Sequence, residues 1–215
     1  MIPSPIFQNI TDKDWNEMRQ HALLRESSYE KNAVIFHTGQ MTEEIGVVVN
    51  GCIHIENIDL LGNKSILSDI SAGQVFAETY AFCEEPLMVD VVAAADSTIL
   101  FLNVKKMLLP QYNSYHWQTT MRNNLLISAM HKNLILSQRI FCTTSKTIRG
   151  RILTYLSAQA LKQNNARSFE IPFDRQQLAD YLNVDRSALS KELGKMQEEG
   201  IITFRKNFFT IHDFF

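Results

Sequence analysis

The sequence predicts an α+β fold with an N-terminal antiparallel β-roll of jelly-roll type, one long dimerisation helix, and a C-terminal winged helix-turn-helix. Short period-two segments separated by Gly and Asn fill residues 33–103, as is typical of a compact antiparallel barrel or jelly roll. Residues 110–141 contain no Gly, and no Pro after the first position. Residues 174–200 have the pattern of two short amphipathic helices joined by a tight turn, and two β segments follow them.

Composition and charge limit the class of protein. The 215 residues are 45% hydrophobic and 20% charged, as expected for globular domains with packed cores. We expect no secretory signal, and no apolar run approaches the roughly 20 residues of a membrane span. Three distant cysteines predict a reducing, cytoplasmic compartment. Residues 1–140 hold 10 Lys and Arg against 15 Asp and Glu, whereas residues 141–215 hold 11 against 8. The C-terminal part is therefore suited to a polyanion.

The N-terminal elements follow in chain order. Residues 3–26 are predicted to be helical and peripheral, anchored by Trp15, Met18 and Leu23. Alternating apolar and polar side chains then predict a series of strands separated by turns. The expected strands are 33–37, 45–49, 52–58, 64–70, 88–94 and 97–103, with turns at 38–39, 50–51, 61–63 and 71–73 and a short helix at 77–82.

The long helix is expected over residues 110–141 and is predicted to pair with its twin in a homodimer. Its apolar positions form a 3-4-3-4 ladder, the pattern of a coiled-coil seam, and the one Asn in it fits a two-stranded, in-register pairing. The seam residues are Leu126, Ala129, Asn133, Leu136 and Ile140. The alternative is a helix that packs only on its own barrel. The domains are accordingly expected at 1–109, 110–141 and 142–215, with a hinge at 141–146.

The helix pair carries the strongest functional signal. Asp174 is placed to cap the first helix, with Gln177 three residues later, and Asp185 is placed to cap the second helix. A β hairpin with Arg205 and Lys206 at its tip follows and predicts a wing that contacts phosphate. Short polar and cationic side chains near the start of the second helix are predicted to read bases in a major groove. They are Arg186, Ser187, Ser190 and Lys191.

These features together resemble the Crp–Fnr family of bacterial transcription regulators. The resemblance rests on the β-roll glycines Gly39, Gly51 and Gly73, and on the segment FDRQQLADYLNVDRSALSKEL followed by IITFRKNFFTI. It covers nearly the whole chain. It implies a homodimer that reads a near-palindromic operator in double-stranded DNA, with RNA polymerase as a further candidate partner. It also implies that Arg175 contacts phosphate. Ser187 stands where well-known members carry a glutamate that reads cytosine, and because a hydroxyl is less selective, the familiar operators are not assumed.

The resemblance further implies an effector pocket in the β-roll, near Ala77, Glu78, Thr79, Met88 and Val89. Cyclic-nucleotide-binding members carry Gly-Glu-Leu in a short helix and then an Arg-Ser or Arg-Thr pair that clamps the cyclic phosphate. Here the first motif reads Ala-Glu-Thr and the second reads Met-Val. The strongest charge-assisted contact to the phosphate is therefore missing. We expect an unknown small-molecule effector other than cyclic AMP.

Two other functions are alternatives to an effector-gated regulator. The first is a constitutive DNA-binding regulator whose β-roll is only a dimer scaffold. The second is a cupin-type metalloenzyme, which needs clustered ligands such as His-x-His with a nearby Glu. His54 and Glu56 come nearest to that pattern, without a second His beside them. No enzyme, metal site or certain cofactor is therefore predicted. Cys83 lacks a neighbouring cation in the sequence, so a thiol switch near the pocket is not favoured.

Overall fold

The computed structural model describes residues 3–58 and 64–212. The chain forms two compact units that meet within the long helix, between Ala129 and Met130. The turn predicted at residues 61–63 lies outside the described residues. The three-part division at residues 109 and 141 stays a prediction.

The first unit is built on two four-stranded antiparallel sheets. Its strands are β1 (Leu24–Tyr29), β2 (Val34–Phe36), β3 (Glu44–Asn50), β4 (Cys52–Ile58), β5 (Lys64–Ser71), β6 (Val75–Phe76), β7 (Asp90–Ala93) and β8 (Ser97–Asn103). One sheet has the order β1-β8-β3-β6 and the other β2-β7-β4-β5. The unit also contains α1 (Asp12–Gln20), α2 (Glu78–Cys83), α3 (Val104–Met107) and the start of α4 (His116–Thr143). The predicted antiparallel β-roll is confirmed.

Apolar side chains from both sheets meet in a shared core, and aromatic rings fill its centre. The Phe36 ring lies 5.7 Å from that of Phe101 and 6.1 Å from that of Phe76, edge to face in both cases. Such pairs contribute about 0.5–1.5 kcal/mol each beyond the area they bury. The ring of Phe76 occupies the space beside Gly46, where an added Cβ would overlap it. The centre of the roll is thus occupied by the chain's own side chains.

The prediction of one helical segment over residues 3–26 is wrong in part. This stretch forms a 3-10 turn (Pro5–Phe7), α1 and the start of β1. The anchors Trp15, Met18 and Leu23 are buried as expected. The sequence of β1, LRESSY, has no regular apolar alternation. Pairing with β8 makes this segment a strand, with Leu24 opposite Leu102.

Helix α4 begins at His116 rather than at residue 110, because a separate 3-10 turn (Pro110–Tyr112) precedes it. Three aromatic side chains, Tyr112, Tyr115 and Trp117, stabilise the bend between the two, with ring centroids 5.3–5.9 Å apart. The helix continues to Thr143, into the segment predicted as a hinge. The long Gly-free run therefore predicts the helix correctly but not its first turn.

The second unit contains the C-terminal part of α4 and a winged helix-turn-helix. The further elements are α5 (Ile148–Lys162), β9 (Ser168–Glu170), α6 (Arg175–Leu182), α7 (Arg186–Glu198), β10 (Ile202–Arg205) and β11 (Phe208–Ile211). The strands pair antiparallel in the order β10-β11-β9. Helices and sheet enclose one core, which includes Leu156, Leu178, Leu182, Leu189, Leu193 and Met196. The predicted winged helix-turn-helix is confirmed.

Candidate nucleic-acid interface and effector groove

Two aspartates set where the helices of the helix-turn-helix begin. Asp174 Oδ1 accepts from the Gln177 amide at 2.8 Å, and Gln177 Oε1 accepts from the Asp174 amide at 2.9 Å, which is the predicted capping box. Asp185 Oδ1 accepts from the amides of Ser187 and Ala188, each at 2.9 Å. Asn183 has a φ of +52° between the helices, a conformation that Asn tolerates well. These local bonds decide which side chains occupy the first turns of α7.

The exposed face of α7 carries the four side chains predicted to read bases. Arg186, Ser190 and Lys191 are exposed, and their side chains have no hydrogen-bond or ion-pair partner among the described residues. Ser187 is exposed too, but its hydroxyl donates to Asp185. This hydrogen bond and those from the two backbone amides hold the pKa of Asp185 below its ordinary value. The structure brings the four predicted side chains together on one polar surface.

Arg175 packs against the wing. Its guanidinium carbon lies 4.9 Å from the centre of the Phe204 ring and 5.8 Å from that of Phe209, within the range of a cation–π contact. Its Nη2 donates to the carbonyl of Lys206 across 3.4 Å. Burial lowers the pKa of Arg175. Arg205 and Lys206 remain exposed at the tip of the wing. Arg175 thus connects the first turn of α6 to the wing, in addition to its predicted contact with phosphate.

Two arginines that the sequence reasoning missed hold the C-terminal end of α6. Arg139, on α4, donates to the Asp180 carbonyl at 3.1 Å and to the Tyr181 carbonyl at 3.3 Å. Arg151, on α5, donates to the carbonyls of Leu182 and Asn183 at 3.0 and 2.8 Å. The last carbonyls of a helix lack intrahelical partners and carry partial negative charge. Both arginines therefore fix the position of α6.

A third arginine connects α5 to α7. Arg149 Nε lies 2.6 Å from Glu192, and its two Nη atoms lie 2.6 and 2.8 Å from the oxygens of Glu199. The hydrogen bonds with Glu199 and Glu192 raise the pKa of Arg149, and the same contact lowers the pKa of Glu199. Paired Arg–carboxylate bonds fix geometry as well as distance. These bonds therefore fix the position of α7, and of its exposed polar surface, relative to α5.

Helix α4 exposes a wide apolar surface. The seam residues Leu126, Leu136 and Ile140 are 58%, 59% and 66% exposed, and Ala129 and Asn133 are exposed as well. Apolar side chains outside the predicted seam are exposed too, namely Ile127, Met130, Leu134, Ile135 and Phe141. Burying one Leu or Ile contributes about 1.5–3 kcal/mol, so a partner that covered this surface would gain considerable stability from it. The 3-4 ladder identified one row of this surface and missed the neighbouring row.

A largely apolar groove of about 480 Å³ lies between α2 and the first half of α4. Glu78 and Thr79 line it, as predicted for the effector pocket, but Ala77, Met88 and Val89 do not. Met88 is 75% exposed. The other lining residues are Val75, Phe82, Cys83, Leu108, Arg122, Asn123, Leu125, Leu126, Ser128 and Ala129. Two of the five residues predicted for the effector pocket therefore line this groove, because α4, rather than the segment before β7, forms its second wall.

His54 and Glu56, the pair closest to a cupin pattern, lie 3.6 Å apart on β4. Glu56 is only 3% exposed and pairs with Lys64 at 2.6 Å, while His54 Nε2 lies 3.1 Å from Asp69. Within residues 3–58 and 64–212, no three His, Cys, Asp or Glu side chains are arranged to hold a metal ion.

In the same part of the chain, no helix combines the length and the apolar character needed to cross a membrane.

Two protein-family models match the chain. The cyclic nucleotide-binding domain matches residues 26–108, and the Crp-like helix-turn-helix domain matches residues 150–214. The first range coincides with the β-roll and the second with the winged helix-turn-helix. The chain belongs to the Crp–Fnr family of transcription regulators. This family consists of regulators rather than enzymes.

Solved structures share the fold of this Crp–Fnr regulator at low sequence identity. The catabolite activator protein of Thermus thermophilus is 18% identical, with a TM-score of 0.51 over 97% of this chain and 94% of that chain. CprK complexed with OCPA is 12% identical, with a TM-score of 0.62 over 92% and 91%. The N-terminal domain of a transcriptional regulator from Streptomyces coelicolor A3(2) is 19% identical, with a TM-score of 0.50 over 60% and 91%. No curated protein sequence matches the chain.

The three glycines on which the resemblance to the Crp–Fnr family rests all have a backbone conformation typical of turns. Gly39, Gly51 and Gly73 have φ angles of +82°, +88° and +85°, a region that favours glycine. At Gly51 an added Cβ would also overlap the hydroxyl of Ser97 and the carbonyl of Asp96. Glycine is therefore required there both for the turn and for the close approach of the loop before β8.

Proposed function

We propose that the protein is a homodimeric, sequence-specific DNA-binding regulator whose affinity for DNA is set by a small-molecule effector other than cyclic AMP. The first turns of α7 provide the main support for DNA binding. There, Arg186, Ser190 and Lys191 are exposed without partners among the described residues, while the helix behind them is fixed by arginine contacts. Because such a regulator must reach chromosomal DNA, we place it in the cytoplasm.

The side chains of the second unit divide between base reading and phosphate contact. Arg186 and Lys191 are suited to donate to guanine O6 and N7. Arg205 and Lys206, exposed at the wing tip, are suited to contact phosphate, which positions the protein without reading sequence. Double-stranded DNA with a near-palindromic operator is thus the proposed partner. RNA polymerase, as a second partner, stays a prediction from the resemblance.

The apolar surface of α4 supports the homodimer. Its exposed Leu, Ile, Met and Phe side chains recur over about four helical turns, more than isolated surface residues account for. A second copy is the natural occupant because two α7 helices about 34–36 Å apart would fit successive major grooves of a near-palindromic site. Asn133, within the seam, is suited to fix the register of the pair.

The groove between α2 and α4 is the proposed effector site. Leu126 and Ala129 line this groove and also belong to the predicted dimer seam, so a molecule bound there would contact the helix through which two copies pair. Such contact gives the effector different affinities for two arrangements of α4, which is what gating requires. The apolar lining favours a largely apolar effector. Arg122, unpaired among the described residues, offers it a donor.

A constitutive regulator is the second candidate. The observation in its favour is that Phe36, Phe76 and Phe101 occupy the centre of the β-roll. Met88 and Val89 also replace the residues that clamp a cyclic phosphate in the family. The two candidates differ in one measurable property, since only the gated regulator changes its affinity for DNA when the groove is occupied.

The decisive experiment is selection of the purified full-length protein on random duplex DNA without added ligand, followed by sequencing. An enriched near-palindrome with half-sites about one helical turn apart would support DNA reading and a competent ligand-free form. A confirmed dimer that enriches nothing would indicate that a missing effector is needed, and apolar metabolites would then be added to the same selection. If no addition restores enrichment, the proposed function is contradicted.

A further inference from the structure

We propose that Ser187 reads DNA only as a hydrogen-bond acceptor, and that it therefore contacts an exocyclic amino group, N4 of cytosine or N6 of adenine, in the major groove. The inference rests on the proposed DNA-binding function. It identifies which kind of base atom one residue of the recognition surface selects.

The contact between Ser187 and Asp185 determines the direction of this hydrogen bonding. Asp185 Oδ1 accepts from the Ser187 hydroxyl and also from the amides of Ser187 and Ala188. An ionised carboxylate has acceptors only, so the hydrogen of the side-chain bond belongs to the hydroxyl. A hydroxyl has one hydrogen and two lone pairs. With its hydrogen directed at Asp185, the exposed oxygen of Ser187 presents lone pairs to its surroundings.

The base edges differ in their hydrogen-bonding groups, so a side chain that only accepts distinguishes between them. In the major groove, cytosine N4 and adenine N6 are donors, whereas guanine O6 and N7 and thymine O4 are acceptors. Lone pairs on Ser187 match the amino groups and oppose the carbonyl oxygens. The exposed negative charge of Asp185 disfavours the same carbonyl oxygens. An isolated serine would tolerate both kinds of edge, which is why the sequence alone predicted a less selective contact.

Ser190 provides an internal comparison. It lies three residues after Ser187 and is also exposed, but its hydroxyl has no partner among the described residues. It keeps both its hydrogen and its lone pairs for DNA. The two serines of α7 should therefore behave differently, although the sequence does not distinguish them.

The test begins with selection on random duplex DNA of the full-length protein and of Ser187→Ala. The base pair whose preference changes in the variant is the one that residue 187 reads. At this pair, one duplex carries a base analogue without the exocyclic amino group, and another carries an analogue without the carbonyl oxygen. Loss of the amino group should weaken binding of the natural protein about three- to tenfold, the factor that one hydrogen bond provides. The smaller loss that Ser187→Ala shows on the same duplex measures the effect of weaker base pairing and is subtracted from the loss of the natural protein. Loss of the carbonyl oxygen should affect both proteins equally.

Variants of Asp185 test the proposed cause. In Asp185→Ala the hydroxyl is released, so binding should tolerate inversion of the base pair about as well as its native orientation. Asp185→Asn, which keeps an acceptor oxygen, should still discriminate against the inverted pair. Ser190→Ala serves as a matched control and should change a different base pair. If Asp185→Ala fails to fold because its helix cap is lost, Ser187→Ala and Asp185→Asn still decide the question.

Three outcomes would overturn the inference. One is a Ser187→Ala variant that leaves every base preference unchanged. Another is a larger loss on removing the carbonyl oxygen than on removing the amino group. The third is the absence of any enriched motif with any protein or added ligand, which would contradict the proposed DNA-binding function as well. The first two outcomes leave that function intact.

Discussion

Arg139, in the last turns of α4, donates to the carbonyl of Tyr181 at the end of α6 across 3.3 Å. With its second bond, to the Asp180 carbonyl at 3.1 Å, it joins the helix proposed to form the dimer to the first helix of the DNA-binding pair. We therefore expect a displacement at the end of α4 to reach α6 through this side chain, as well as along the backbone through α5.

Replacing Arg139 by Ala should loosen α6 without unfolding the core beneath it. Hydrogen bonds with one charged partner contribute about 1.5–3 kcal/mol, and less at an exposed position. We therefore expect the free energy of local opening to fall by about 1–2 kcal/mol, measured by native-state hydrogen exchange of the α6 amides. Arg139→Lys keeps the charge but not the two directed bonds and should lie between. Equal exchange rates in all three proteins would refute the proposed coupling.

Charge placed in the seam of α4 should prevent dimerisation. Leu136 and Ile135 are both 59% exposed, but only Leu136 belongs to the predicted seam. We expect Leu136→Glu to raise the dimer Kd at least tenfold, since burial of one Leu contributes about 1.5–3 kcal/mol and the change occurs in both copies. Met41→Glu, at an exposed apolar side chain of the β-roll, is the matched control and should leave sedimentation equilibrium unchanged. A dimer that Leu136→Glu leaves intact would place the interface elsewhere.

Lys191→Ala should relax base preference at one position of each half-site. The contact of a cationic side chain with a base edge is worth about 1–3 kcal/mol, and Lys191 has no competing partner among the described residues. Selection on random DNA followed by affinity measurement on the enriched site tests this. Lys31→Ala removes the same charge from the β-roll and should keep the natural motif. An identical motif in Lys191→Ala would exclude Lys191 from base reading.

Removing both cations of the wing tip should weaken binding to all DNA sequences alike. Each phosphate contact releases about one counterion, so the double variant Arg205→Ala/Lys206→Ala should lower the slope of log K against log salt by about 2 for each protomer, or about 4 for the proposed dimer. The measurement is a salt titration of binding to specific and non-specific duplexes. Lys13→Ala/Lys31→Ala, with the same change in net charge, should keep the natural slope. A loss confined to the specific duplex would instead assign the wing to base reading.

The cap of α7 should depend on pH only in the acid range. The hydroxyl of Ser187 and the amides of Ala188 and Ser187 lower the pKa of Asp185 below its ordinary 3.8. A group whose pKa is lower in the folded state stabilises it fully above the unfolded value and loses that effect as pH falls through the folded value. The start of α7 should thus be stable above about pH 4 and fray below it. An NMR titration of Asp185 measures this, and Ser187→Ala should move the pKa back towards 3.8.

Local chemistry explains which parts of the fold could be predicted. Caps depend on residues three apart, so Asp174 with Gln177 and the start of α7 at Asp185 could be predicted from a few letters. Strand β4 occurs at its predicted bounds because Ile53 and Ile55 alternate with His54 and Glu56. Strand β1 could not be found in this way, since pairing with β8 rather than its own pattern makes it a strand.

The parts that were missed depend on residues distant in the sequence. Arg139 and Arg151 contact carbonyls more than 30 residues away, and a carbonyl leaves no signature in the sequence. The groove combines Glu78 and Thr79 with Arg122 and its neighbours on α4, so a motif confined to α2 and the segment before β7 could indicate only one wall. The four residues that the resemblance assigns to base reading lie on one exposed face of α7 because all of them fall within six consecutive residues, and their role stays a prediction.

The packing of Arg175 on Phe204 and Phe209 has a kinetic consequence. We expect a wing held by a cation–π contact and by the bond to the Lys206 carbonyl to keep this shape when it meets DNA. Association then includes no ordering step for the hairpin, so its rate is governed by collision and electrostatic attraction. Removing the Arg175 side chain would shift part of the ordering entropy into the bimolecular step, and the encounter rate would fall even where the lifetime of the complex is unchanged.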